Sequence, residues 1–116
     1  MIDMQNKTIS FIDGLEKTTL NLDSITSFEK QHVKIWYQNG NFRRWQPRYY
    51  ISTYQITTGY STIKGSYYSY RCSETDFKEL ISTIGKDFTK EKHREIEYKP
   101  NGSERVAVNW IYRRCN

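Results

Sequence analysis

At 116 residues, with a net charge of +5 and a mean hydropathy of −0.86, the chain is sized for a single domain, 1–116, with one modest core. No apolar run approaches the roughly 20 residues of a membrane helix. The opening MIDMQNKTIS has neither the basic nor the apolar region of a secretion signal, so a cytoplasmic protein without membrane attachment is expected.

Cys72 and Cys115 lie in no CxxC pair and near no histidine cluster, which argues against a metal site and offers no cofactor. A disulfide between them is geometrically open, but in a cytosolic chain both are expected to stay reduced. One alanine and four leucines stand against twelve isoleucines, ten tyrosines and eleven threonines. Those residue types suit a pleated surface rather than a helix. The positive balance favours acidic partners, either a phosphate backbone or an acidic protein surface. The sequence is also compatible with a homo-oligomer.

In chain order, residues 7–12 (KTISFI) and 18–22 (TTLNL) read as strands around the turn signal Asp13-Gly14. Ile25 and Phe28 carry the apolar signal onward to an alternating run, 32–38 (HVKIWYQ). Asn39-Gly40 is the strongest hairpin signal, because both residues accept positive φ. Residues 42–46 (FRRWQ) form the return strand, ended by Pro47. A long β-type run, RYYISTYQITT, follows and breaks near Gly59, and 66–72 (SYYSYRC) makes another strand after Gly65.

The stretch SETDFKELISTIG predicts a helix over about 74–84. Ser73 caps it with Asp76 three residues on. Phe77, Leu80, Ile81 and Ile84 fall at i, i+3, i+4 and i+7 on one face. Gly85 is placed to end it in the left-handed conformation. The charged run 86–97 (KDFTKEKHREIE) reads as a weak helical extension or a solvated loop. Strands in EIEYK and SERVAVNWIYRR flank Pro100-Asn101-Gly102, a register that sets Glu97 opposite Arg105 and Ile96 opposite Val106. The expected fold is α+β and mostly antiparallel β. It is a curved sheet or small barrel of about six to eight strands, closed by the helix and ending in a β-hairpin.

The segment NFRRWQPRYY interleaves three arginines with four aromatic rings. A two-residue loop at Asn39-Gly40 or at Gly40-Asn41 places Val33, Ile35, Tyr37, Phe42, Arg44 and Gln46 on one side. Lys34, Trp36, Gln38, Asn41, Arg43 and Trp45 then share the other. The first side is the more apolar, which leaves the second as an exposed platform of indoles and cations suited to stacking nucleic-acid bases. The competing arrangement has the helix cover both tryptophans, and a three-residue loop would exchange the faces. A second basic-aromatic stretch, NWIYRRCN, ends the chain. Its arginines also suit a protected sheet edge. Tyr49, Tyr50, Tyr54, Tyr67, Tyr68 and Tyr70 would place rings on both faces, as interface residues or as a half-buried rim.

No phosphate-cradling glycine loop, GxSxG or HExxH occurs, so no enzyme is expected. The cluster Lys90 to Glu95, with His93, offers at most the groups of a metal-independent ribonuclease. The sequence therefore points to a small non-catalytic protein binding nucleic acid, single-stranded or structured. The binding candidates are Lys34, Trp36, Arg43, Trp45, Arg48, Tyr49, Arg113 and Arg114. The alternative is a phage or mobile-element inhibitor that binds a host defence protein or signalling ligand.

Overall fold

Turn chemistry and strand alternation produce the elements nearly in the expected order. In the computed structural model residues 1–59 and 62–115 are described, the stretches 55–59 and 62–67 by their backbone alone. The strands are β1 (Ile2–Asp3), β2 (Thr8–Asp13), β3 (Glu16–Asn21), β4 (Ile25–Trp36), β5 (Phe42–Arg44), β6 (Arg48–Gly59), β7 (Thr62–Cys72), β8 (Phe88–Tyr98) and β9 (Glu104–Arg114). The helix α1 spans Glu74–Ile84 between β7 and β8. All pairings among the described residues are antiparallel, so the fold is α+β and mostly antiparallel β as expected. β1, β2 and β3 form a small sheet. The large sheet runs β7-β6-β4-β9-β8, with β5 also on β4. It stays open, with β7 and β8 at its edges.

Asp13 pairs with Glu16 across Gly14, which takes φ 68, so the first hairpin has the expected place. The last hairpin has the expected register, with Ile96 opposite Val106 and Glu97 opposite Arg105. Several boundaries differ, among them the return strand β5, which ends at Arg44 rather than 46. β4 begins at Ile25 rather than 32. β7 begins at Thr62 rather than 66. The charged run after the helix is strand from Phe88 on. The charges there repeat with period two, which a strand accommodates by sending successive side chains to opposite faces. The break expected near Gly59 falls on residues 60 and 61, outside the described residues. Tyr67 likewise lies among the side chains outside that description.

Ser73 accepts from the backbone N–H of Asp76 at 3.2 Å, and the Asp76 carboxylate accepts from the Ser73 N–H at 3.3 Å. This reciprocal pair satisfies two of the donors that a helix start leaves open. Gly85 is right-handed, φ −57, and not the left-handed stop expected. The chain continues into a single 3-10 turn, Gly85–Asp87, that feeds β8 directly. Ser73→Ala is expected to lower stability by about 1 kcal/mol. A shift in the urea midpoint without a change in slope would register it.

Phe77, Leu80 and Ile84 of α1 pack onto one end of the large sheet, against Phe28, Tyr49, Ile51 and Phe88. The small sheet covers the same face with Ile9, Phe11 and Leu20, joined by Leu22. Ile25 and Phe28 both reach this core although they are three residues apart. A register shift between Ile25 and Ser27 inserts the extra residue. Beyond Phe28, Phe88 and Tyr112 no described residue of that face belongs to the core. The long strands run on without a covering layer. The radius of gyration is accordingly 17.3 Å, against about 13 Å for a compact chain of this length.

Candidate nucleic-acid interface

The uncovered half of the helix-side face is assembled by cross-strand pairing. Starting from Phe28 opposite Tyr112, the same face carries Lys30 opposite Trp110, His32 opposite Val108, Lys34 opposite Val106 and Trp36 opposite Glu104. β8 adds Lys90, Lys92, Arg94 and Ile96 opposite Tyr112, Trp110, Val108 and Val106. β5 adds Arg44 opposite Lys34 and Phe42 opposite Trp36. Facing residues share a face, so beyond the buried Phe28 six cations and five aromatic rings (Trp36, Phe42, Trp110, Tyr112 and, opposite Glu104, Tyr98) line one lane, with Glu104 the carboxylate among these strand positions. The carboxylates of β8, Glu91, Glu95 and Glu97, alternate onto the opposite face.

Two recesses open along this lane with Trp110 between them. One, of about 380 Å³, lies among His32, Lys34, Trp36, Lys92 and Arg94. The other, of about 210 Å³, lies among Lys30, Lys90, Tyr112 and the edge of Phe77. The ammonium groups of Lys30 and Lys92 stand 5.2 and 5.8 Å from the Trp110 ring centre, and Lys90 stands 5.8 Å from that of Tyr112. Trp36 and Phe42 are 42% and 50% exposed and in ring contact at 4.8 Å. Ion pairs among the described residues involve Met1, Lys78, His93 and Arg113, and none of the six lane cations. The charge of the lane is therefore not neutralised by the described residues.

His32 sits in the middle of this charge, and its Nε2 is shielded from solvent without a hydrogen-bond partner. Burial first, then Lys34, Arg44 and Lys30, hold its pKa below the usual imidazole range. The unfolded chain takes up this proton near a pH of about 6.5, while the folded chain resists until lower pH. Stability contributed at neutral pH is thus lost as pH falls through the unfolded value. His32→Gln is expected to reduce the drop in melting temperature between pH 7 and pH 5. Equal drops in wild type and variant would remove His32 from this role.

The expected platform of Trp36 and Trp45 does not form. Tyr37 donates to Asn41 O at 2.7 Å and Gly40 to Tyr37 O at 3.0 Å, leaving three loop residues, Gln38 to Gly40, with Gly40 at φ 86. An odd loop changes the parity of the return strand. Lys34, Trp36, Phe42 and Arg44 consequently share the helix-side face, while Arg43 and Trp45 join Val33 and Ile35 on the other. The helix covers neither indole. Trp36 lies on its side of the sheet but at the far end.

Of the other candidates, Arg48 opens β6 opposite Gln31 on the face of Trp45. Tyr49 is buried under the helix, 5.0 Å from Phe77, and burial pushes its hydroxyl pKa up. Arg113 lies on the opposite face and donates to Glu91 at 3.2 Å. Arg114 donates to the carbonyls of Ile25 and Leu22 at 2.9 and 2.8 Å and lies 4.7 Å from the Phe88 ring, which ties β9 to the core. Lys34 and Trp36 alone of the eight stand in the lane.

Lys30, Arg44, Lys90, Lys92, Arg94 and Trp110 were not among those eight. The period-two sign alternation of KEKHREIE is the signal that identifies three of them. The same alternation divides the grouping considered for a ribonuclease. His93 faces away from Lys92 and Arg94 and bonds Glu91 at 2.9 Å. Among the described residues no group of three His, Cys, Asp or Glu side chains could hold a metal ion, and no helix is long and apolar enough to cross a membrane. The Cys72 thiol is buried and its pKa is pushed up to about 12 by burial. Comparison with protein-family models, with curated proteins and with solved structures finds no match to this chain.

Proposed function

We propose that the protein binds single-stranded nucleic acid along the helix-side face, without catalysis. The observation that carries this reading is the lane of cations without ion-pair partners among the described residues, interleaved with exposed or half-exposed rings. Phosphates neutralise such cations and release counterions, and bases stack on the rings at about 1–3 kcal/mol each. The rings favour a single strand, because a duplex keeps its bases stacked on one another and out of reach.

Fluorescence anisotropy with a labelled homopolymeric pyrimidine strand tests the proposal. Binding is expected at low salt, with a slope of log affinity on log salt of about −0.7 for each phosphate contacted. Trp36→Ala is expected to weaken binding by about 1–3 kcal/mol with the slope kept. Absence of binding at low salt, or tighter binding to a duplex of equal length, would overturn it. An acidic protein partner predicts no dependence on the rings as stacking surfaces, so that Trp36→Phe and Trp36→Leu behave alike.

A further inference from the structure

The face away from the helix has a recess of its own. β5 leaves β4 after Arg44, and β6 takes up the same edge only at Arg48, opposite Gln31. Between them Trp45, Gln46 and Pro47 pass outside the ladder, held by a bond from Trp45 N–H to Val33 O at 3.1 Å. A recess of about 300 Å³ lies at this gap. Its apolar wall is Val33, Ile35 and the half-buried Trp45 ring, and Arg43 stacks on that ring at 5.0 Å. Two side-chain amides, Gln31 and Gln46, enter it. Arg48, Arg105 and Lys99 supply three cations.

Among the described residues no carboxylate lines this recess, and none of its three cations is in an ion pair. Glu97 is the cross-strand neighbour of Arg105 but is not within ion-pair distance of it. A flat aromatic wall alone would suit a hydrocarbon. Two guanidinium groups beside it call for an anion, and their planar forks match phosphate geometry. The amides can both donate and accept, which suits the polar edge of a heterocyclic base. A volume of this size is at the small end of ligand pockets, which limits the occupant to about one nucleotide.

We propose that this recess binds a single nucleotide 5′-phosphate, with the base against Trp45, Val33 and Ile35 and the phosphate drawn by the cations that line the recess, Arg48 at one end and Arg105 and Lys99 at the other. The site lies on the opposite face from the lane and does not depend on that reading. The nucleotide is either free or the phosphorylated end of a strand, since both present the same chemistry.

Isothermal titration with the four ribonucleoside 5′-monophosphates and with inorganic phosphate tests the site. At least one nucleotide is expected to bind at one per chain, at least tenfold more tightly than phosphate. The double variant Arg48→Gln/Arg105→Gln is expected to lose at least tenfold in affinity with its melting temperature kept. Lys92→Gln/Arg94→Gln, on the other face, should bind the nucleotide as wild type does. A strand bearing a 5′-phosphate that binds more tightly than its 5′-hydroxyl counterpart, with the preference lost in the Arg48→Gln/Arg105→Gln variant, supports the site with a strand end as its source. Equal affinity of the two strands alongside nucleotide binding supports it with a free nucleotide. Three results overturn the proposal: no nucleotide binding at millimolar concentration, equal binding of inorganic phosphate, or loss of nucleotide binding through Lys92→Gln/Arg94→Gln instead.

Discussion

Phe28→Ala is expected to lower the stability of the fold by about 3–5 kcal/mol, a large share of the roughly 5–15 kcal/mol that holds a domain together. Phe28 is 0% exposed and lies where the helix, β8 and β9 converge. Its ring stacks on Tyr112 at 4.8 Å and meets Phe88 at 4.9 Å and Phe77 at 5.6 Å. Truncation removes all three contacts and leaves a cavity that these rings, on three different elements, cannot jointly close. Urea denaturation followed by fluorescence measures the effect. A midpoint close to that of wild type would mean that the helix contributes little to the core. Phe28 is buried and offers the lane no surface of its own, so the variant should lose oligonucleotide binding in proportion to unfolding and not before it.

The second large effect is expected from moving charge across β8 without changing its total. Lys92→Glu and Arg94→Glu place carboxylates in the lane, and Glu95→Lys and Glu97→Lys return the same charge on the opposite face. Net charge stays at +5. If the lane is the binding surface, two phosphate contacts are lost. The slope of log affinity on log salt then falls by about 1.4 for a single strand. If attraction follows only the net charge, affinity and slope remain as in wild type. All four positions are exposed, so the fold should survive. Glu97→Lys sets a like charge opposite Arg105, at an expected cost of roughly 0.2–1 kcal/mol. Melting temperatures separate that penalty from the change in binding.

How much was legible in the sequence depended on whether a signal was local. The helix was readable because its cap, its i, i+3, i+4, i+7 spacing and its start all lie within one short consecutive stretch, Ser73 to Ile84. The last hairpin was readable because Pro100-Asn101-Gly102 specifies its own turn. The hairpin after β4 was not, because its parity rests on one additional loop residue, and Asn39-Gly40 serves two-residue and three-residue loops alike. β8 was obscured by its charges. Beyond Phe88 its residues are exposed or half-exposed on both faces, so no apolar alternation marked it, and the alternation of sign was the remaining trace. Arg114 looked like a ligand contact because nothing near it in sequence shows the carbonyls of Leu22 and Ile25 that it satisfies. The uncovered lane was illegible for a similar reason, since it depends on β4 pairing with a strand from the far end of the chain.

That pairing has a kinetic consequence. β4 is aligned with β9 from Ser27 with Arg113 to Trp36 with Glu104, partners 86 to 68 residues apart in the chain. The central seam of the sheet must therefore close one of the longest loops the chain allows before its contacts reward the closure. Local hairpins such as β2 with β3, β6 with β7 and β8 with β9 form on the microsecond scale, whereas non-local sheets join in milliseconds to seconds. Until then β4 presents an unpaired edge of backbone N–H and C=O groups, Ile25 to Ile35, to whatever strand is nearest. Refolding at increasing protein concentration should accordingly lose yield first through intermolecular pairing at β4, while the finished hairpins on either side are already in place.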